Sequence, residues 1–148
     1  MEKEISIYKI TDYNEIYEAL VEISDAYNPP LINSIKDLSK YAKKLTENAD
    51  VYVAKDMSLL GFIAYYSNDM ISKIAYITQL GVLPSAQRRG IGSRLINKSY
   101  SVCKEKGMKK IKLEVRMTND KAIEFYRKEG FVYCGKASDK SIYLEKYI

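Results

Sequence analysis

The stretch Gln79-Leu80-Gly81-Val82-Leu83-Pro84-Ser85-Ala86-Gln87-Arg88-Arg89-Gly90-Ile91-Gly92-Ser93-Arg94-Leu95 constrains this chain more than any other. Ile74-Ala75-Tyr76-Ile77 leads into it as a strand, and Pro84 ends that strand because proline cannot donate to a ladder. From Ile91 the spacing turns helical, with Leu95, Ser99, Val102 and Cys103 on one face. A strand, a glycine-bearing loop and a helix start thus follow one another. The first N–H groups of a helix lack intrahelical partners and carry the positive end of its dipole. Gly90 and Gly92 let an anion approach those groups, and Arg88 and Arg89 add charge beside them. An ordinary tight turn with a solvated basic edge fits the same residues.

Two phosphate loops are excluded. A P-loop needs G-x-x-x-x-G-K-S/T, which is absent, and a dinucleotide fingerprint needs G-x-G-x-x-G, where Gly90-Ile91-Gly92 meets Leu95 instead of the third glycine. What fits is Q/R-x-x-G-x-G/A, as Gln87-Arg88-Arg89-Gly90-Ile91-Gly92, after a strand ending in Leu80-Gly81-Val82. A second block lies at Asn119-Asp120-Lys121-Ala122-Ile123-Glu124-Phe125-Tyr126-Arg127-Lys128-Glu129-Gly130-Phe131. Its Asn119, Ala122 and Tyr126 are three and then four apart, so an amide, a small residue and a phenol share one helix face. Spacing alone also allows an N-cap, a close-packing alanine and a core tyrosine.

Together the two blocks resemble the signatures of the GNAT family of N-acetyltransferases. The resemblance covers nearly the whole chain and is strongest over about residues 74–131. It implies a coenzyme A site. Main-chain groups at Leu80, Gly81 and Val82 would hold the pantetheine arm as a pseudo-strand. Gln87, Arg88, Arg89, Gly90, Ile91, Gly92 and Ser93 would hold the pyrophosphate, and Asn119 and Ala122 would flank the arm. Tyr126 would lie near the sulfur, as the general acid. The implied reaction is direct attack of a primary amine on acetyl-CoA in a ternary complex, with a main-chain N–H near Leu80 stabilising the oxyanion. The chain departs from the pattern at Gln79, where many members carry glutamate. An amide cannot act as a base, so a water, a tyrosine such as Tyr76 or a carboxylate from another strand would serve if a base is needed.

The other expectations follow from composition. At 148 residues the chain reads as one domain, 1–148. The longest apolar run, Leu59 to Tyr66, is too short for a bilayer, and the N-terminus shows no signal peptide, so a cytoplasmic protein without a membrane partner is expected. Two cysteines, Cys103 and Cys134, sit in apolar patterns and read as buried, reduced core residues. The absence of histidine removes Cys-His and Ser-His catalytic pairs and argues against a structural zinc; no metal is expected. The net charge of +5 suits an anionic partner. The lysines are interleaved with glutamates, as in Lys104-Glu105-Lys106, and form no nucleic-acid stripe.

Along the chain the pattern predicts a strand at 5–10, then a helix carrying Ile16, Leu20 and Ile23, broken by Asn28-Pro29-Pro30. A helix over about 34–47, strands at 50–55 and 58–67, and a long strand 71–83 follow. After the loop and its helix come Gly107 as C-cap, a strand through Ile111, Leu113 and Val115, and a helix 119–129 ended by Gly130. Strands at 131–134 and 141–147 close the order β-α-α-β-β-β-α-β-α-β-β. The expected fold class is α/β (α+β): a mixed, twisted sheet with helices on both faces, which is also the GNAT fold. The expected acceptor is a small-molecule amine such as an amino sugar or a polyamine-like compound, bound by a monomer or homodimer. Tyr27, Tyr65 and Tyr66 fall where the acceptor cleft is expected. A protein N-terminus or lysine as acceptor, and a non-catalytic coenzyme A sensor, are the alternatives.

Overall fold

Seven strands form one mixed sheet in the order β1-β2-β3-β4-β5-β7-β6. They are β1 (Ser6–Lys9), β2 (Asp50–Lys55), β3 (Leu59–Tyr66), β4 (Ile74–Val82), β5 (Lys110–Arg116), β6 (Val132–Lys136) and β7 (Ser141–Tyr147). The α-helices described in full are α1 (Tyr13–Ile23), α2 (Leu38–Asn48), α3 (Ile91–Glu105) and α4 (Asp120–Lys128). This computed structural model describes residues 4–27, 30–31 and 35–148. Among the described residues only β4 and β5 pair in parallel. The connection between them carries α3, the kind of crossover that parallel strands require.

Two cores lie on the two faces of the sheet. Ile16, Leu20, Ile23, Ala42 and Leu45 of α1 and α2 pack on Val51, Val53, Phe62 and Ala64. Ile91, Leu95, Ile96 and Cys103 of α3, with Tyr126 of α4, pack on Ile63, Tyr65, Ala75, Ile77, Ile111 and Leu113. Alternation along β3 and β5 explains the division, since successive side chains point to opposite faces. Gly61 is required where α3 comes closest: a Cβ there would lie 2.9 Å from Ile91 Cγ2 and Leu95 Cδ1.

The expected element order is observed, with shifted bounds. The second helix starts at Leu38, where the Asp37 carboxylate accepts from Lys40 N–H and caps it. The central strand starts at Ile74, because Asp69 gathers the N–H groups of Ile71 and Ser72 into a turn. Helix α1 ends at Ile23 and runs into a 3-10 turn, Ser24–Ala26, ahead of the predicted Asn28-Pro29-Pro30 break, of which Asn28 and Pro29 lie outside the described residues. Gly107 and Gly130 do end α3 and α4. In each the following residue donates back into the last turn, Met108 to Cys103 and Phe131 to Tyr126, the bonds of a Schellman motif. Cys103 is buried as expected, whereas Cys134 on edge strand β6 is only half-buried. Among the described residues no helix is long and apolar enough to cross a membrane, and no three His, Cys, Asp or Glu side chains gather as metal ligands.

Candidate active site

The site begins where the central pair comes apart. β4 pairs with β5 only from Ile74 to Ile77, against Lys110 to Leu113. Next on β4 is Thr78, an extra residue: Ala64 faces Gln79 while Tyr65 faces Ile77. Such a bulge bends its strand and increases the twist. Past it, β4 follows β3 and β5 follows β7, so a gap opens between them. Leu83 N–H donates to the Leu60 carbonyl at 2.9 Å. Counting back along the antiparallel register, Gly81 exchanges bonds with Phe62, and Leu80 and Val82 turn their N–H and C=O toward the gap. Of the predicted trio, Gly81 therefore offers no free main-chain group. Its part is steric, since a Cβ there would lie 2.9 Å from the Tyr27 hydroxyl.

The start of α3 lies at this gap's rim, where a Cβ at Gly92 would come 3.7 Å from Val82 Cγ2. Asp12, Asp37 and Asn119 cap α1, α2 and α4 with their side chains, but Gly90 at the N-cap of α3 supplies none. Gly90 has φ +72, which favours glycine, and a Cβ there would meet nothing within 4 Å. Gly92 serves clearance instead: a Cβ would lie 3.3 Å from Phe125 Cζ. Arg88 has φ 68 and Arg89 lies 3.8 Å from Asp56. Gln87 Nε2 donates to the Val82 carbonyl at 3.4 Å. Two predicted site residues offer only their amides. Ile91 buries its side chain under the sheet, and the Ser93 hydroxyl donates to Glu129 at 3.0 Å. The result is a cradle of uncapped N–H groups with exposed guanidinium groups beside it, a fit for the phosphates of a nucleotide.

Helix α4 forms the far wall. Asn119 Oδ1 accepts from Ala122 N–H at 3.2 Å, so this residue is an N-cap, as one reading of the sequence has it, and its NH2 group remains a donor. Ala122 is half-buried, and Tyr126 is buried edge-on between the rings of Phe125 and Phe131 at 5.3 and 5.5 Å. Burial pushes the Tyr126 phenol well above its ordinary value, so it holds its proton.

On the α1/α2 face the gap is lined by phenols and one carboxylate. Tyr41 and Thr78 share a hydrogen bond of 2.6 Å, and burial pushes the Tyr41 phenol up to about 12. Burial raises Tyr76, and so does the Glu114 carboxylate facing it. Ser141 donates to that carboxylate at 2.5 Å. Tyr66 stands here, with Lys44 over its ring at 5.6 Å, but Tyr65 does not. Tyr65 turns to the α3 face and stacks on Tyr52, because the alternation that exposes one of the pair to the cleft removes the other. Sequence reasoning did not single out Glu114. Its signal was the alternation of Lys112, Glu114 and Arg116 against Ile111, Leu113 and Val115, which sets a carboxylate on the open face of β5.

Comparison with known proteins agrees with this geometry. The model of the Acetyltransferase (GNAT) family matches residues 13–131. The chain is 31% identical over 127 residues to N-alpha-acetyltransferase 50 of Danio rerio, covering 75% of this chain and 74% of that protein. The PaiA N-acetyltransferase of Thermoplasma acidophilum, solved in complex with coenzyme A, superposes with a TM-score of 0.78 at 21% identity, covering 98% of this chain and 99% of that one. The ribosomal-protein-S18-alanine N-acetyltransferase of Escherichia coli gives 0.78 at 19% identity, with 98% and 94% covered. With the family model spanning both sequence blocks and the gap between β4 and β5, the chain belongs to the GNAT acetyltransferase family.

Proposed function

We propose that this chain transfers the acetyl group of acetyl-CoA to a primary amine by direct attack in a ternary complex. The observation that carries this is the gap beside Leu80 and Val82, whose main-chain groups no neighbouring strand pairs, next to the uncapped start of α3, where a Cβ at Gly92 would lie 3.7 Å from Val82 Cγ2. The pantetheine amides complete the open edge of β4 as an added strand. The pyrophosphate accepts from the Gly90–Ser93 turn, with Gln87, Arg88 and Arg89 beside it. Asn119 donates to the arm, and Ala122 gives it room.

Chemically, the amine nitrogen bonds to the thioester carbon and the carbonyl electron pair moves onto oxygen, facing the Leu80 N–H. When the pair returns, the C–S bond breaks and the sulfur takes the Tyr126 proton. Glu114, directly or through Tyr76, takes the proton lost by the amine. It supplies the carboxylate that Gln79 cannot.

The small-amine reading comes from the sequence. Likeness to an N-alpha-acetyltransferase supports a second one, a polypeptide N-terminus, as does the face of β5 and β7 away from α3, on which neither α1 nor α2 packs. A thiol-release assay with acetyl-CoA, run against amino sugars, polyamines and short peptides with free N-termini, decides between them. No release with any amine, by protein that binds acetyl-CoA, would leave a sensor module.

A further inference from the structure

Tyr27 follows the 3-10 turn Ser24–Ala26 and lays its ring across β4 at Gly81. A Cβ at residue 81 would lie 2.9 Å from its Oη and 3.1 Å from its Cε2, so only glycine admits the ring. Ile23 closes the same spot, its Cγ1 at 3.1 Å. The Tyr27 hydroxyl is fully buried, yet among the described residues it has no hydrogen-bond partner. Two groups stand near it. The Leu80 amide lies near its oxygen without making a hydrogen bond to it, and the Tyr126 phenol acts on it from the core on the opposite face of the sheet. A buried hydroxyl without a partner is unfavourable and rare. Here it sits at the amide that polarises the acyl oxygen in the reaction above.

We propose that the Tyr27 hydroxyl donates a hydrogen bond to the thioester carbonyl oxygen beside the Leu80 N–H, completing a two-donor oxyanion hole. The inference rests on the acetyltransferase reading. In the free protein the phenol oxygen occupies the place of the acyl oxygen at the Leu80 amide. As the thioester arrives the ring yields that place and turns its O–H onto the newcomer. The phenol keeps its proton throughout. The amine nitrogen bonds to carbon, the carbonyl pair moves to oxygen under two donors, and on its return the C–S pair leaves to sulfur with the Tyr126 proton. Burial, reinforced by the nearby phenols of Tyr126 and Tyr41 against the opposing Leu80 amide, holds Tyr27 well above the ordinary tyrosine value. It is thus a donor at any working pH, never a base. The two phenols divide the thioester between them, Tyr126 at sulfur and Tyr27 at oxygen.

The test needs no acceptor. Acetyl-CoA labelled with carbon-13 at the carbonyl is bound to the wild type, Tyr27→Phe and Tyr126→Phe, and the carbonyl stretch is read by difference infrared spectroscopy. In the wild type the stretch lies below its value in free acetyl-CoA. In Tyr27→Phe it moves part of the way back, and in Tyr126→Phe it stays at the wild-type value. With an accepted amine, Tyr27→Phe lowers kcat by about 10²-fold, as for other single oxyanion donors, while the KM for acetyl-CoA changes little. Its thermal midpoint is unchanged or higher, since the lost hydroxyl has no partner in the free protein. An identical stretch in wild type and Tyr27→Phe overturns the proposal. Failure of wild-type protein to bind acetyl-CoA overturns the acetyltransferase reading as well.

Discussion

The two ends of β4 behave differently although they belong to one strand. At the Ile74–Ile77 end the strand pairs with β5 throughout and with β3 at Tyr76 and Ile77, and Lys73 continues the contact by accepting from Lys109 N–H at 2.8 Å. The buried Asp50 ties that end to the C-terminal end of α3: Lys106 donates to it at 2.8 Å, Ser67 at 2.6 Å, and Lys9 stands at 3.2 Å. At the Leu80–Val82 end one edge is open, the adjoining start of α3 has no side-chain cap, and the Tyr27 hydroxyl lacks a partner. Unsatisfied polar groups are costly in a folded protein. The open edge and the uncapped helix start distinguish the Leu80–Val82 end, whereas buried hydroxyls without partners occur at both ends, Tyr65 and Tyr66 opposite Ile77 and Tyr76 as well as Tyr27 at Gly81.

The largest expected effect breaks the open end. Gly92→Asp sets a carboxylate at the cradle and a Cβ against Phe125. An acidic residue in the first turn favours the helix itself, so the fold persists. Acetyl-CoA affinity falls by two to three orders of magnitude, roughly 3–4 kcal/mol, read by calorimetry with the thermal midpoint as control. Unchanged affinity in the folded variant would remove the pyrophosphate from this turn.

Next in size are the two proton-handling groups, tested once an acceptor is known. Tyr126→Phe keeps the ring between Phe125 and Phe131 and removes the O–H. A thiolate can depart unaided at moderate cost, so kcat falls by about 10²-fold, the low end for a general acid, with the KM for acetyl-CoA nearly constant. Glu114→Gln is expected to lower kcat by a similar factor, roughly 10²-fold. Near-wild-type rates, with chemistry shown to limit turnover, would make Tyr126 structural or return the base to water.

The smallest effect belongs to the closed end and sharpens the contrast by sparing activity. Burial opposes the charged form of Asp50, but the bonds from Lys106, Ser67 and Lys9 outweigh it and hold the carboxyl below its ordinary value. A depressed folded value gives stability that is complete above the ordinary aspartate range near about 4 and is lost as pH falls through the folded value. Asp50→Asn therefore lowers stability at neutral pH by about 1–3 kcal/mol and flattens the acid limb of denaturant midpoints against pH. The surviving folded molecules bind acetyl-CoA as the wild type does. A variant whose acid limb matches the wild type would show that the network contributes nothing to it.

Local pattern was enough for much of this. The element order, the glycines that end α3 and α4, the cap at Asn119, and the glycine loop at the start of α3 all follow from spacing and backbone preference, which act over a few residues. The sheet decided the rest. The bulge at Thr78 has no local signature, and it is where β4 leaves β5. Pairing parity, not residue type, turned the main-chain groups of Leu80 and Val82 away from β3 and those of Gly81 toward it. The same alternation put Tyr66 in the cleft and Tyr65 in the opposite core. Tyr27 and Tyr126 approach each other from opposite sides of the sheet, and Glu114 faces Tyr76 from the neighbouring strand. Such meetings join residues far apart along the chain, and only tertiary packing brings their side chains to one place.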